Sequence, residues 1–394
     1  MTGRLQALLD EGVAGGVFPC AAAVVLHRGG LLFEGAAGGA TLRTAFDLAS
    51  LTKVVASTAA FLTLWRDGAL TPETPVERIL PESAAGHAGA TAGDLLAHRA
   101  GLPPFLPLFA PILRESPGLL DPDCAARVRE AARATAVSRA LAAAPVTPSP
   151  GTRSAYAYSD LGFIALGELL ARVGGRPLDA LVAERVTRPL GLATRFHRLS
   201  ARGEWMRSTA ASSELSVAPT GRTRPREPAP GQEGLWEPFA PHPSPAGEVD
   251  DDNAFVMDGV AGHSGLFGTA ADVAAFGQAV LDDRAGAGRL APADRWAVAL
   301  RRDAATPGST CALGFHTRLP GDLEESSAGR LVGAEPPGAV GHLGFTGTSL
   351  WVDLARGLVV ALCTNRAAGP RGRSEVRIRE FRPRFHDAAV EAIG

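Results

Sequence analysis

The strand-forming stretches of this chain lie near its two ends, with a mainly helical middle between them. Cys20–Leu26 and Leu31–Glu34 are short apolar runs around Arg28-Gly29-Gly30, the pattern of a hairpin. Ala312–Thr317, Val340–Phe345, Thr348–Leu354 and Leu358–Thr364 repeat that pattern late in the chain, and Arg356-Gly357 turns between the last two. Ala90–His98, Cys124–Ala143, Asp160–Val173 and Pro177–Val186 carry helical spacing instead. Runs this far apart share a sheet only if the chain ends meet. The pattern therefore predicts one α/β domain made of residues 1–66 and 255–394, with a helical insertion over 67–254. A site at the seam between the two is natural. Further helices are expected over Leu5–Val13, from about Ser50 to Trp65, over Thr269–Leu281 and Ala291–Leu300, and over Val376–Ile393. Between about 200 and 248 the periodicity fails and Pro, Gly, Ser and Arg dominate. A structureless segment of that length in a compact domain covers a site or moves.

One residue in the expected Ser50–Trp65 helix stands out. Lys53 is the only lysine among 39 basic residues. Arginine can replace lysine on a surface, but it cannot give up its proton near neutral pH, whereas a buried amine can. Lys53 follows Ser50 by three positions, so on a helix the two share a face. A serine hydroxyl needs such a neighbour to become a nucleophile. The Ser50 N–H at the helix start could also face a developing oxyanion. With 20 serines in 394 residues, a randomly placed lysine would meet this spacing about one time in 20. The pair therefore needs support from elsewhere.

Two further segments supply it. Tyr158-Ser159-Asp160 offers a phenol that a nearby ammonium can turn into a general acid or base, and a carboxylate able to bind lysine or substrate. By itself it also fits a helix start capped near Asp160. Gly341-His342-Leu343-Gly344-Phe345-Thr346-Gly347-Thr348 is a strand and turn of small residues along which a substrate can lie. There the Phe345 N–H is a candidate second oxyanion donor, and His342 adds a polar group that titrates near neutrality.

Ser-x-x-Lys, Tyr-x-Asp and His-x-Gly in this order resemble the serine β-lactamase and penicillin-binding family, in its class C-like, D-alanyl-D-alanine peptidase and esterase branch. Phe46–Lys53, Asp94–Pro103, Gly247–Ala254 and Gly259–Thr269 extend the resemblance over nearly the whole chain. It implies an α+β fold, with an antiparallel sheet flanked by helices beside a mainly helical lobe. It implies that Ser50 is acylated, that Lys53 is its base partner and that Tyr158 is a second base or the leaving-group acid. Asp160, His342, Gly344, Phe345 and Thr346 would line the substrate site, and the N–H groups of Ser50 and Phe345 would form the oxyanion hole. The register Tyr156-Ala157-Tyr158 is less suitable, because it puts Tyr where a carboxamide or carboxylate belongs. Two departures bear on substrate. Asp160 replaces the usual asparagine, which favours a protonated Lys53 and repels anions. Leu343 replaces the hydroxyl residue that helps hold a β-lactam carboxylate. Both favour neutral esters or small amides. β-Lactamase or D-alanyl-D-alanine carboxypeptidase action, an acyltransferase, and a binding protein acylated without turnover are the alternatives.

The remaining features exclude more than they add. A net charge of −2 with scattered signs gives no nucleic-acid footprint or polybasic anchor. No apolar run approaches the roughly 18 residues of a membrane span. Asp10 and Glu11 interrupt the stretch a signal peptide needs, so a cytoplasmic protein is expected, with its four dispersed cysteines reduced. No metal motif or cofactor signature appears, and the expected partner is a small-molecule ester or amide. Oligomeric state is not legible. His98 and His263 are read as structural hydrogen-bonding groups. Asn253, one of two asparagines, lines the site or serves a turn, and Asp250-Asp251-Asp252 reads as a solvated turn. The arginines around 370–384 read as a solvated helix face.

Overall fold

The computed structural model describes residues 2–146, 156–204, 216–221, 223–224, 234, 236, 242–243, 245–322, 327–369 and 371–394. Most of the Pro/Gly-rich segment at 200–248 lies outside these residues. The chain starts with helix α1 (Gly3–Ala14), then strands β1 (Ala21–His27), β2 (Gly30–Ala37) and β3 (Thr44–Asp47). Arg28 and Gly29 take φ of 50° and 79°, the double left-handed turn that joins twisted antiparallel strands. A helical stretch follows: a 3-10 turn at Ala49–Leu51, a π-helical segment at Lys53–Thr58, and helix α2 (Ala59–Arg66). The expected long helix is thus present, with mixed hydrogen bonding. Residues 51–65 are buried throughout, as a helix that is apolar on every side requires.

The described part of 67–254 is mostly helical, with α3 (Ala126–Leu141) and α4 (Asp160–Gly174) its longest elements. Ser159 caps α4 by accepting from the Gly162 N–H, and Gly175 ends it at φ 65°. Beyond lie β4 (Leu266–Gly268), α5 (Ala270–Arg284), α6 (Ala293–Ala299), β5 (His316–Arg318), β6 (Ala339–Leu343), β7 (Ser349–Asp353), β8 (Leu358–Thr364) and α7 (Arg371–Glu391). A Thr269/Asp272 capping box starts α5, as its sequence predicts. The strand expected over Ala312–Thr317 is shorter and shifted to His316–Arg318. Gly314, at φ 78°, folds 311–316 into a tight turn instead, with the Ala312 N–H donating to Phe315 O at 2.8 Å.

Six strands form one antiparallel sheet in the order β2-β1-β8-β7-β6-β5. The two chain ends meet where Ala22 pairs Cys363 and Val24 pairs Ala361. Strands β1 and β8 are continuous apolar runs because both sheet faces are covered. Leu358, Val360 and Leu362 pack with Leu5, Leu9, Phe381 and Phe385 on the face of α1 and α7. Val359, Ala361 and Cys363 enter the larger core on the opposite face, with Val273 and Phe276 of α5. A small second sheet orders Arg195–Phe196, β4, β3 and Ser216–Val217. Its strand β3 delivers the chain to Ser50.

Candidate active site

The approach to Ser50 is a strained turn. Strand β3 pairs with β4, and the Leu48 N–H donates to Leu266 O at 2.9 Å. The buried Asp47 carboxylate then accepts from the Ala49 N–H at 2.8 Å and the Asp250 N–H at 2.7 Å. Ala49 is held at φ 46°, a left-handed conformation that costs a non-glycine residue about 1–3 kcal/mol and persists only when its surroundings enforce it. Burial pushes the Asp47 carboxyl up to about 7, with the charges of Asp250 and Asp251 adding and the two N–H donors opposing. The chain leaves this turn with Ser50 in the first turn of the helical stretch, where backbone N–H groups have no intrahelical acceptor.

Three residues converge on the serine. Lys53 is fully buried, and its Nζ donates to Ser50 Oγ at 2.9 Å and to Asp160 Oδ1 at 2.7 Å. Asp160 reaches it from the first turn of α4. The Tyr158 ring lies beside the amine, with Lys53 Nζ 4.8 Å from its centroid, and the phenol interacts with both Lys53 and Ser50. Burial opposes charge on Lys53, but Asp160 and then Tyr158 outweigh it and hold the amine above its ordinary pKa. Burial likewise raises the Tyr158 phenol, and Asp160 adds to it, against the pull of Lys53. At neutral pH this is an ammonium beside a neutral phenol.

Tyr158 is bracketed by imidazoles. Its ring lies 4.4 Å from that of His98 and 5.9 Å from that of His316, and His342 stands 6.0 Å away. The Ser159 N–H donates to His98 Nδ1 at 3.1 Å, so His98 braces the tyrosine segment. Burial lowers all three imidazoles, and the Lys53 charge adds to it. His316 falls to about 4, while His98 and His342 fall well below the usual histidine range. Because a carbonyl only accepts, His342 Nδ1–H donates to Leu343 O at 2.8 Å, leaving Nε2 a buried acceptor without a partner. His342 therefore puts a neutral ring, not a cation, in this position. His316 escaped the sequence reading. Its signal was only that β5 neighbours the strand of His342.

The turn after β6 is packed against the Ser50 turn. A Cβ on Gly344 would lie 2.0 Å from Thr348 Oγ1 and 2.7 Å from Leu48 O, so no side chain fits there. The Thr346 and Thr348 hydroxyls donate to the Asp47 and Leu48 carbonyls at 2.7 and 3.1 Å. Ser50, Tyr158, Asp160, His342, Gly344 and Phe345 line one cleft of about 550 Å³. Thr346 and Asn253 do not line it. Asn253 accepts from the Phe109 N–H at 3.1 Å and donates to Leu106 O at 2.8 Å, tying 106–109 to the short helix Asp252–Val256. Asp250–Asp252 is not a solvated turn. Asp250 and Asp252 are buried, and Asp251 Oδ1 caps Ala254 N–H at 2.7 Å and meets His263 Nε2 at 3.0 Å. Among the described residues, no three His, Cys, Asp or Glu side chains converge as metal ligands, and no helix is long and apolar enough to cross a membrane.

The Beta-lactamase family model matches residues 5–381. An N-acetylmuramyl-L-alanine amidase of Bacillus subtilis (strain 168) is 27% identical over 391 residues, covering 93% of this chain and 81% of its own. A protein of Escherichia coli (strain K12), provisionally named a D-alanyl-D-alanine carboxypeptidase, is 28% identical over 84% of this chain and 71% of its own. In fold, the chain is similar to EstCE1, a hydrolase with promiscuous acyltransferase activity. The TM-score is 0.65 at 20% identity, over 97% of this chain and 98% of that one. This chain belongs to the β-lactamase family and is a serine hydrolase of that family.

Proposed function

We propose that this β-lactamase-family enzyme forms an acyl-enzyme at Ser50 and acts on neutral esters or small amides. The observation that carries the reading is the buried Lys53 amine held between Ser50 Oγ at 2.9 Å and Asp160 at 2.7 Å. In the reactive form Lys53 has lost one proton. Its amine takes the Ser50 proton as Oγ attacks the carbonyl carbon. Tyr158 gives its proton to the leaving group and is refilled from Lys53. Water then enters, its proton passes through Tyr158 to Lys53, and Lys53 returns a proton to Ser50 as the acyl bond breaks. The N–H groups of Ser50 and Phe345 face the oxyanion.

The neutral His342, Leu343 beside it and the Asp160 carboxylate support a substrate without a carboxylate next to the scissile bond. The relatives named as an amidase and a carboxypeptidase favour amides as the second substrate class. The test exposes the protein to an activated short-chain ester, a chromogenic cephalosporin and a fluorophosphonate, with adducts located by mass spectrometry. Turnover of the ester and fluorophosphonate modification of Ser50 are expected. Turnover that survives Ser50→Ala refutes the reading. A stable Ser50 adduct without turnover would instead identify a binding protein. Lys53→Arg is expected to lose at least ~100-fold in rate, the scale of a general base.

A further inference from the structure

We propose that Arg382 aims and strengthens the Phe345 N–H as an oxyanion donor, an assignment that rests on Ser50 being the acylated nucleophile. Sequence places Arg382 with the other arginines of 370–384 on a solvated face. The structure buries it instead. Among the described residues it meets no carboxylate. Its Nη2 donates to Gly344 O at 2.5 Å and Thr348 O at 2.7 Å, and its Nε to Gly347 O at 3.2 Å. Burial, with Arg366 and Arg379 adding, pulls its pKa down only to about 9, so it is charged at neutral pH. A buried cation without a counter-ion is costly to keep. All three of its acceptors belong to the single turn that carries Phe345.

The peptide geometry connects this cation to the cleft. In a trans peptide the C=O and N–H point to opposite sides. The Gly344 carbonyl is turned onto Arg382 and onto the Gly347 N–H, which donates to it at 3.0 Å. The N–H of that same peptide unit belongs to Phe345, so it points away from Arg382. Gly344 itself abuts Leu48 O and Ala49, the residues just before Ser50. The next peptide is fixed as well, since Arg366 Nε donates to Phe345 O at 2.8 Å. A charge-assisted bond to a carbonyl also polarises its peptide and makes the attached N–H a better donor. Arg382 borders the cleft, and through these carbonyls it serves as a positioning residue for the Phe345 N–H. Its contribution grows as negative charge develops on the substrate oxygen.

The experiment compares wild type, Arg382→Met and Arg382→Lys on an activated ester, with active sites counted by fluorophosphonate titration. Losing a whole oxyanion donor costs about 100- to 1,000-fold. A donor left in place but poorly aimed should cost about 10- to 100-fold in kcat per titrated site, with KM within about 3-fold. Affinity for a short-chain trifluoromethyl ketone, which forms a tetrahedral adduct, should fall in parallel. Arg382→Lys should recover part of both. A purely structural role would lower the melting temperature and the titrated fraction and leave kcat per site unchanged, and that result overturns the assignment. So does a loss carried by KM. If Arg382→Met does not fold, Arg382→Lys and Arg382→Gln carry the same comparison. Wild-type protein that is never labelled at Ser50 refutes the acyl-enzyme reading beneath. Labelled wild type with unchanged Arg382 variants refutes the Arg382 assignment alone.

Discussion

Replacing Asp160 by Asn should move the rising limb of the pH–rate profile toward neutrality. The two charges meet at 2.7 Å, with the Lys53 side chain wholly buried and that of Asp160 22% exposed. An opposite charge this close displaces a pKa by about 1–3 units, equivalent to about 1.4–4 kcal/mol. Burial alone pulls the Lys53 amine down, and Asp160 is the largest opposing influence, followed by Tyr158. The sign follows directly. With Asp160 neutralised, burial prevails, the folded-state pKa falls, and free amine appears at lower pH. The asparagine Oδ1 still accepts a hydrogen bond, so the geometry changes little. The assay is kcat/KM for a neutral activated ester from about pH 6 to about pH 10 at fixed ionic strength, since this ratio reports groups of the free enzyme. The rising limb should shift down by about 1–3 units. A limb that stays in place or moves up would show that the proton released before attack is not that of Lys53, and the proposed proton path would fail.

Three other perturbations test the scaffold around the serine. Asp47, raised to about 7 by burial, binds its proton more tightly when folded, so its contribution to stability is full below about pH 4 and is lost as pH rises through 7. Asp47→Asn should flatten the decline of melting temperature between those values, and an unchanged slope would reject the assignment. Gly344→Ala puts a methyl against Thr348 Oγ1 and Leu48 O, and should cost about 1–3 kcal/mol in chemical denaturation together with a fall in kcat. Asn253→Ala leaves the Phe109 N–H and Leu106 O without their partner, at about 1–3 kcal/mol per buried group. Its kcat/KM per folded molecule should stay near wild type, as befits a residue outside the cleft. A selective loss of kcat/KM there would return Asn253 to the site.

Which residues were legible depends on how far away their partners lie. The joining of the chain ends could be read because β1 and β8 are apolar on both faces, and such strands must be covered from both sides. Ser50 and Lys53 could be paired because their spacing is one helical turn, and Tyr158 and Asp160 because a short motif joins them. His316 and Arg382 lacked any such local signal. His316 reaches Tyr158 through strand pairing, and Arg382 reaches the Phe345 turn by packing of α7, 34 to 38 residues further along the chain. The distinction extends to the charge of Lys53. Sequence alone indicates that Asp160 raises its pKa. The competing effect, complete burial, depends on the packing around residues 51–65, and so does the raised phenol of Tyr158. The raised amine and the raised phenol leave no resting base beside Ser50. In the proposed mechanism the first proton therefore leaves Lys53 before chemistry starts. Residues proposed to stabilise the anion formed afterwards, Arg382 among them, would then set how much of that initial cost is recovered in the transition state.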